Sequence, residues 1–237
     1  QAGCIRYEDE DAQSSFRCAS VPFMNLCGLL ALFYGHSVAE PVALEIFAKI
    51  NYTFKKLVAA NGVEFAMIRV GYRGYTEGEI QPDDYFTQNI EGALAAGLDV
   101  GVYFFSQAIS EEEAVQEANF VVKQLQGCKL ELPVTYDWEL IYDDTARTDN
   151  VPVDVLTDCC LAFSGVVEHA GYEPMIYQNK RTSLLKLDLP RLQGISFWLA
   201  EYGSIPTYYY DCQYWQYSCK GKVPGIEGDV DLNIRFS

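Results

Sequence analysis

The stretch "PVTYDWEL", residues 133–140, carries two carboxylates, Asp137 and Glu139, around Trp138 in an otherwise apolar run. In an extended strand successive side chains point to opposite faces, so the two acids share one face and the tryptophan takes the other. Two carboxyls this close cannot both ionise freely: one keeps its proton and can act as an acid while its neighbour stays charged. An acid beside a charged stabiliser is what cleavage of a glycosidic bond requires, as oxocarbenium-like charge develops on the sugar. As a bare pattern, D-x-E arises about once by chance in a chain this acidic, and the bland alternative is a polar interruption on a strand's wet face. The elements around the pair decide between the two.

Those elements alternate between two periods. "EFAMIRVGY" (64–72) is a short apolar run suited to a buried strand, and "DDYFTQNIEGALAAG" (83–97) follows with Phe86, Ile90, Ala93 and Leu94 on one helical face and Gly97 as a stop. "LDVGVYFFS" (98–106) is the next strand; Ser110 and Glu113 then form a capping box that opens a helix to about residue 126. "ELPVTYDWEL" (131–140) is a third strand, residues 152–169 a helix with Pro152 near its first turn, and "EPMIYQ" (173–178) a fourth strand. This βαβα order predicts a parallel sheet. Beyond residue 190 the strand-like runs 194–203, 211–218 and 228–236 are joined by segments too short for a full crossover helix. "GLLALFYG" (28–35), followed by a helical "YTFKKLVAANG" (52–62), supplies an eighth strand. Eight strands with helices among the early ones suggest a barrel whose final helices are lost. In such a barrel Trp138 belongs against the helix layer, which sends Asp137 and Glu139 inward. Because "IYDDTARTDN" leaves the strand at once, the pair falls at its C-terminal end, where barrel enzymes place catalytic groups.

The rest of the composition narrows the chemistry. At 237 residues, 49% of them hydrophobic, the chain suits one domain; we expect an acidic N-terminal arm over 1–20 and a single barrel domain with a divergent first strand over 21–237. With 17 basic against 33 acidic residues the net charge is −16, a field that repels phosphate backbones and anionic lipid, so no nucleic-acid partner is expected. The two histidines, His36 and His169, leave few parts for a histidine-held metal or a Ser-His-Asp triad, and carboxylates must carry any hydrolysis. None of the eight cysteines forms a C-x-x-C pair, and their even number suits an oxidising compartment. The apolar stretch 21–34 is shorter than the ~20 residues needed to span a bilayer, so no membrane span is expected. "NYT" at Asn51 is a glycosylation sequon.

The runs "GVEFAMIRVGYRG" (62–74), "DDYFTQNIEGALAAGLDVGVYFFSQA" (83–108), "LPVTYDWE" (132–139), "GYEPMIYQN" (171–179), "FWLAEYG" (197–203) and "YWQYSCKGKVPGIEGDVDLN" (214–233) together resemble the glycoside hydrolase family 25 lysozymes, the Chalaropsis-type muramidases. The resemblance implies a TIM-like eight-stranded β/α barrel of reduced helix count, (β/α)5(β)3. It implies hydrolysis of the β-1,4 bond between N-acetylmuramic acid and N-acetylglucosamine in peptidoglycan or a related amino-sugar polysaccharide. No metal or cofactor is implied, and a secreted, cell-wall-associated enzyme is. Matched motif to motif, Glu139 takes the general acid/base position and Asp137 that of the carboxylate which orients the substrate's N-acetyl group or stabilises developing charge. Asp231, in "GDVDLN", takes that of a further active-site aspartate on the last strand. Sugars are held by aromatic faces and polar edges, and the candidates for substrate binding are Tyr72, Tyr103, Phe105, Tyr177, Trp198 and Tyr202, each with core packing as its alternative role. Arg69 is a candidate for orienting carboxylates inside the barrel.

One departure stands out. The family's first strand carries an aspartate in a G-I-D-V-S-like segment ahead of an I-D-W, and this chain has "KINYTFKKL" where the I-D-W belongs. Counting back without a gap reaches Val42, and with an insertion Ser37; Glu40 is an acid that a different backbone position could bring in. Two further readings follow from that gap and from the acid content: a cell-wall glycan-binding barrel with weak or lost catalysis, and a carboxylate-rich metal hydrolase.

Overall fold

A computed structural model of the chain describes residues 62–141, 146–223 and 229–236, and the backbone of Val42–Ile46. The expected strand at 28–35, the expected helix at 52–62 save its last residue, the acidic arm, Ser37, Glu40 and the Asn51 sequon lie outside them.

Strand and helix alternate as the periodicities require. Strands β1 (Val42–Ile46), β2 (Val63–Arg73) and the short β3 (Ile80–Pro82) precede helix α1 (Phe86–Ala95). Strand β4 (Asp99–Ser106), α2 (Glu111–Gln124), β5 (Val134–Trp138), α3 (Val153–His169) and β6 (Pro174–Asn179) follow. After α4 (Lys180–Lys186) and a 3-10 turn at Leu189–Leu192, the chain ends in β7 (Ser196–Ala200), β8 (Tyr214–Gly221) and β9 (Val230–Arg235). The turn chemistry is as read: Gly97 adopts φ +78° just past α1, where a side chain would be strained. The Ser110 side chain accepts from the Glu113 N–H at 3.4 Å, while Glu113 reaches back to the Ile109 N–H at 3.0 Å.

Three of the described elements went unread: β1, since the strand was expected at 28–35, α4 and β3. Helix α4 is too short to show a period, although Asn179 caps it by accepting from the Thr182 N–H at 2.8 Å. Strand β3 pairs antiparallel with Gly71–Arg73, and a Cβ on Gly71 would stand 2.5 Å from the Gln81 carbonyl, so only glycine admits that backbone. One expected burial also differs. Leu94 is exposed and Asn89 buried, because the inward face of α1 passes through Phe86, Asn89, Ile90 and Ala93 and leaves Leu94 beyond its edge.

Hydrogen bonding runs β1–β9–β8–β7–β6–β5–β4–β2–β3, and β1 pairs with β2 as well, so the pairings return on themselves. The pairs from β1–β2 and β2–β4 through β7–β8 are parallel, whereas β9 is antiparallel to both β8 and β1. This is a mixed α/β fold: one curled sheet with four α-helices among the described residues. None of these helices is long and apolar enough to cross a membrane.

Strand alternation sorts the side chains into two apolar groups. Val134, Tyr136 and Trp138 of β5 join Ala114, Ala118 and Phe163 in the large core between sheet and helices. Phe65, Met67, Tyr103, Met175, Tyr177, Trp198 and Tyr214 form a second cluster on the sheet's concave face. Trp138, expected against the helix layer, is fully buried there and its indole N–H donates to the Ala108 carbonyl at 3.1 Å.

Within the helix-side core lies a charge that needs a partner. Arg73 Nε meets Glu117 Oε1 at 2.6 Å, both side chains almost wholly buried, and Arg73 Nη1 donates to the Gly78 carbonyl at 2.6 Å. Glu117 Oε2 accepts from Ser106 Oγ at 2.7 Å, and that hydroxyl lies 2.9 Å from the Tyr136 hydroxyl. Burial pushes the Glu117 carboxyl up to about 7, against the Ser106 hydrogen bond and the Arg73 charge. The network ties β2, β4 and β5 to α2 directly behind the ends of the strands that carry the candidate acids.

Candidate active site

The acids stand where the strand reading placed them. Asp137 is buried in β5, in register with Phe105 of β4 and Tyr177 of β6, and Tyr177 is in turn in register with Trp198 of β7. Asp137 therefore belongs to the concave face, opposite Trp138. Glu139 follows at the strand's end, half-buried and hydrogen-bonded to Asp137. Asp231 lies on β9 two residues before Asn233, whose Oδ1 accepts from the Trp198 indole N–H at 2.9 Å on the same concave face. Its charge acts on Glu139. Three carboxylates from β5 and β9 thus converge at one end of the sheet.

Burial pushes the Glu139 carboxyl up to about 7, the Asp231 charge adds to the rise, and the hydrogen bond with Asp137 opposes it. Below about pH 7 Glu139 therefore keeps its proton, the condition for donating it.

Two amides fix the backbone that carries Glu139. Gln107, just beyond β4, donates to the Glu139 carbonyl at 2.7 Å and to the Ser106 carbonyl at 2.8 Å, and its Oε1 accepts from Thr148 Oγ1 at 3.0 Å. From the other side the Gln178 amide donates to the Trp138 carbonyl. Gln107 and Gln178 are both almost wholly buried, so the turn that aims Glu139 is held from both neighbouring strands. The sequence reading missed both; the available signal was an amide inside an apolar run, "FFSQA" and "MIYQN", which must find a partner once buried.

The aromatic candidates divide. Tyr103 and Trp198 are buried, 3% and 1% exposed, with Trp198 packed edge-on against Tyr103 and Tyr177, so these two rings form the floor and present no open face. Their neighbours in sequence are hydrophobic on both sides, which is why pattern alone favoured core packing over substrate contact for each of them. The Tyr177 hydroxyl donates to Gln216 Oε1 at 2.9 Å, and the exposed Tyr202 donates to the same oxygen at 3.2 Å. Phe105 is half-buried in register with Asp137 and Tyr72, and Tyr72 is exposed. Tyr72, Phe105 and Tyr202 therefore offer ring surface at the rim.

Arg69 finds an acidic partner, though not one of the candidate acids: its Nε meets Asp83 Oδ2 at 2.8 Å, and its guanidinium lies 5.5 Å from the centre of the Tyr72 ring. Val42, the ungapped counterpart of the family's first-strand aspartate, lies on β1, where Glu45 is the acid, in backbone register with Met67 of β2. A surface hollow lined by Ser164, Glu168, Tyr172, Arg191 and Ser196 lies at the opposite ends of β6 and β7 and is separate from these acids.

A carboxyl with a raised pKa, beside a second carboxylate at the carboxyl ends of parallel strands, is an arrangement used to cleave glycosidic bonds. The model for glycosyl hydrolases family 25 matches residues 48–226, most of the chain, and the chain belongs to that family. It is 27% identical over 186 residues to an autolytic lysozyme of Clostridium acetobutylicum, a match covering 77% of this chain and 53% of that protein. The modular autolysin LytC of Streptococcus pneumoniae superimposes with a TM-score of 0.70 at 23% identity, over 84% of this chain and 47% of that one. The bacterial lysozyme of Streptomyces coelicolor does so with a TM-score of 0.70 at 21% identity, over 84% of this chain and 94% of its own. The last two likenesses are likenesses of fold. The chain spans about half the length of the clostridial and pneumococcal proteins it matches.

Proposed function

We propose that this protein is a muramidase, a lysozyme that hydrolyses the β-1,4 bond between N-acetylmuramic acid and N-acetylglucosamine in peptidoglycan, outside the cell that makes it. The observation that carries the reading is Glu139: a carboxyl raised to about 7 by burial, hydrogen-bonded to Asp137 and facing the Asp231 charge at the strand ends. Family membership and the likeness to an autolytic lysozyme support it. So does the pneumococcal autolysin LytC, a protein also solved in complex with a synthetic peptidoglycan ligand. The closed run of strand pairings is read as a TIM-like (β/α)5(β)3 barrel within one domain over 21–237, with the acidic arm at 1–20 outside it.

In the proposed reaction protonated Glu139 donates to the glycosidic oxygen as the bond from the anomeric carbon breaks. Asp137, within hydrogen-bond distance of Glu139, is too close to it to serve as the base or nucleophile on the sugar's opposite face, which sits at least about 5 Å from the acid in two-carboxylate glycosidases. Its role is instead to orient the substrate's N-acetyl group, whose carbonyl oxygen meets the developing positive charge. Glu139, now a carboxylate, takes the proton of the water that completes hydrolysis. Asp231 adds negative charge facing the oxocarbenium-like sugar. Tyr72, Phe105 and Tyr202 hold the sugar rings, and Tyr103, Tyr177 and Trp198 support them from below.

The pH profile tests the assignment. A carboxyl whose pKa is raised keeps its proton below that value and loses it above, so the competent form of the free enzyme is present below about pH 7 and lost above it. The profile of kcat/KM on soluble peptidoglycan fragments is expected to fall on an alkaline limb near pH 7. A limb near pH 4, or activity undiminished to pH 9, would remove Glu139 from the role of acid.

A further inference from the structure

The loop between β7 and β8, residues 201–213, carries more exposed aromatic surface than any packing role uses. Tyr209 is 92% exposed, Tyr210 51% and Tyr202 56%, with Ile205 at 69% between them in sequence. Apolar rings in solvent cost free energy unless something covers them, so a cluster of this kind marks a contact surface.

The loop is built to hold these rings still. Glu201 gathers its first half: it accepts from the backbone N–H of Thr207 at 2.7 Å and of Tyr208 at 3.1 Å, and from Lys180 Nζ at 2.9 Å. Tyr208 then stacks on Phe197, ring centres 5.6 Å apart and planes 14° from parallel, which anchors the second half to the outer wall of β7. Tyr210 packs edge-on against both Tyr208 and Tyr209. Rings fixed in this way lose little side-chain entropy on binding.

The row begins at the site. Tyr202 donates to Gln216, the residue that also receives the Tyr177 hydroxyl beside Asp137. From there the loop leaves the rim and descends, since Gln213 N–H donates to the Phe197 carbonyl, three residues below the end of β7. The loop thus runs from Tyr202 at the rim to Tyr208 on Phe197, with Tyr210 and Tyr209 beside it on the outer flank. Phenol rings match the apolar faces of sugar rings, and their hydroxyls match the sugars' polar edges. A long, insoluble polymer bound in the site must continue past the rim.

We propose that Tyr209 and Tyr210 form a second glycan-binding surface, which grips a neighbouring stretch of a peptidoglycan strand while another part of that polymer occupies the site. This rests on the muramidase reading for its substrate class. The surface serves insoluble wall and contributes nothing to a fragment short enough to fill only the site.

The test compares wild type with the Tyr209→Ala/Tyr210→Ala double variant on two substrates. Pelleting with purified insoluble peptidoglycan should show the double variant binding roughly tenfold more weakly, as expected for two lost ring contacts. Clearing of the same walls should fall in step, while kcat/KM on a soluble disaccharide dimer stays unchanged. Tyr209→Phe/Tyr210→Phe, which keeps the rings, should bind like wild type. Equal pelleting of the alanine variant and wild type overturns the proposal. So does a wild-type dimer in sedimentation that the alanine variant abolishes, because a second copy would then be what covers the patch. If neither protein cleaves the soluble fragment, the muramidase reading fails by itself, and pelleting still decides the surface.

Discussion

Replacing Glu139 by glutamine is expected to lower kcat/KM on peptidoglycan by about 10²- to 10⁴-fold, the range that a positioned general acid contributes. Glutamine keeps the volume of the side chain and an amide able to face Asp137, yet carries no proton to give. The same variant should be no less stable than wild type, and the sign of the difference follows from linkage. In the folded chain Glu139 holds its proton to about pH 7, whereas an unfolded glutamate releases it near 4.3. Between those values the native state binds more protons, so wild-type stability is fully present below about pH 4 and declines through this window, by up to about 4 kcal/mol. Glu139→Gln lacks that decline. Urea unfolding of both proteins at pH 5 and pH 8 checks it: the variant should gain on wild type as pH rises. A variant that is inactive but equally pH-sensitive in stability would place the titrating group elsewhere.

The second large effect lies behind the site rather than in it. Glu117→Ala leaves the Arg73 guanidinium, 4% exposed, without the carboxylate that meets it at 2.6 Å. Breaking a buried pair from one side costs about 3–5 kcal/mol, because the remaining charge cannot regain water. The loss should appear as a lower urea midpoint with an unchanged slope. The double variant Arg73→Met/Glu117→Leu, which removes both charges and refills the space, should recover most of it. A single variant within about 1 kcal/mol of wild type would mean that water reaches the pair and that the network is not what ties β2 and β4 to α2.

These two effects also mark what could be read in the chain beforehand. The inward aim of Asp137 and Glu139 was legible because Trp138 between them is large and apolar, and period-2 alternation then leaves only one arrangement. The βα order was legible for a similar reason: Gly97, Ser110 and Pro152 punctuate helices whose apolar positions recur at helical spacing. What resisted reading depends on partners remote in sequence. Gln107 and Gln178 bind backbone carbonyls at and just past the end of β5, some thirty to forty residues away, and a carbonyl leaves no trace in a side-chain pattern. Arg73 and Glu117 are 44 residues apart, and neither looks buried until β2 and α2 are packed. Trp198 and Tyr103 share the concave face with Asp137, so alternation could place them on that face but not say how deep they lie. Depth is set by the curl of the sheet, a property of all its strands together.

The most direct test of the muramidase assignment is the identity of the sugar end that the wild-type protein creates. Purified peptidoglycan is digested, the products are reduced with borohydride, and the reduced sugars are separated and identified. New reducing ends are expected on N-acetylmuramic acid alone, recovered as its sugar alcohol. New ends on N-acetylglucosamine, or solubilised wall with no new reducing ends at all, would contradict the assignment.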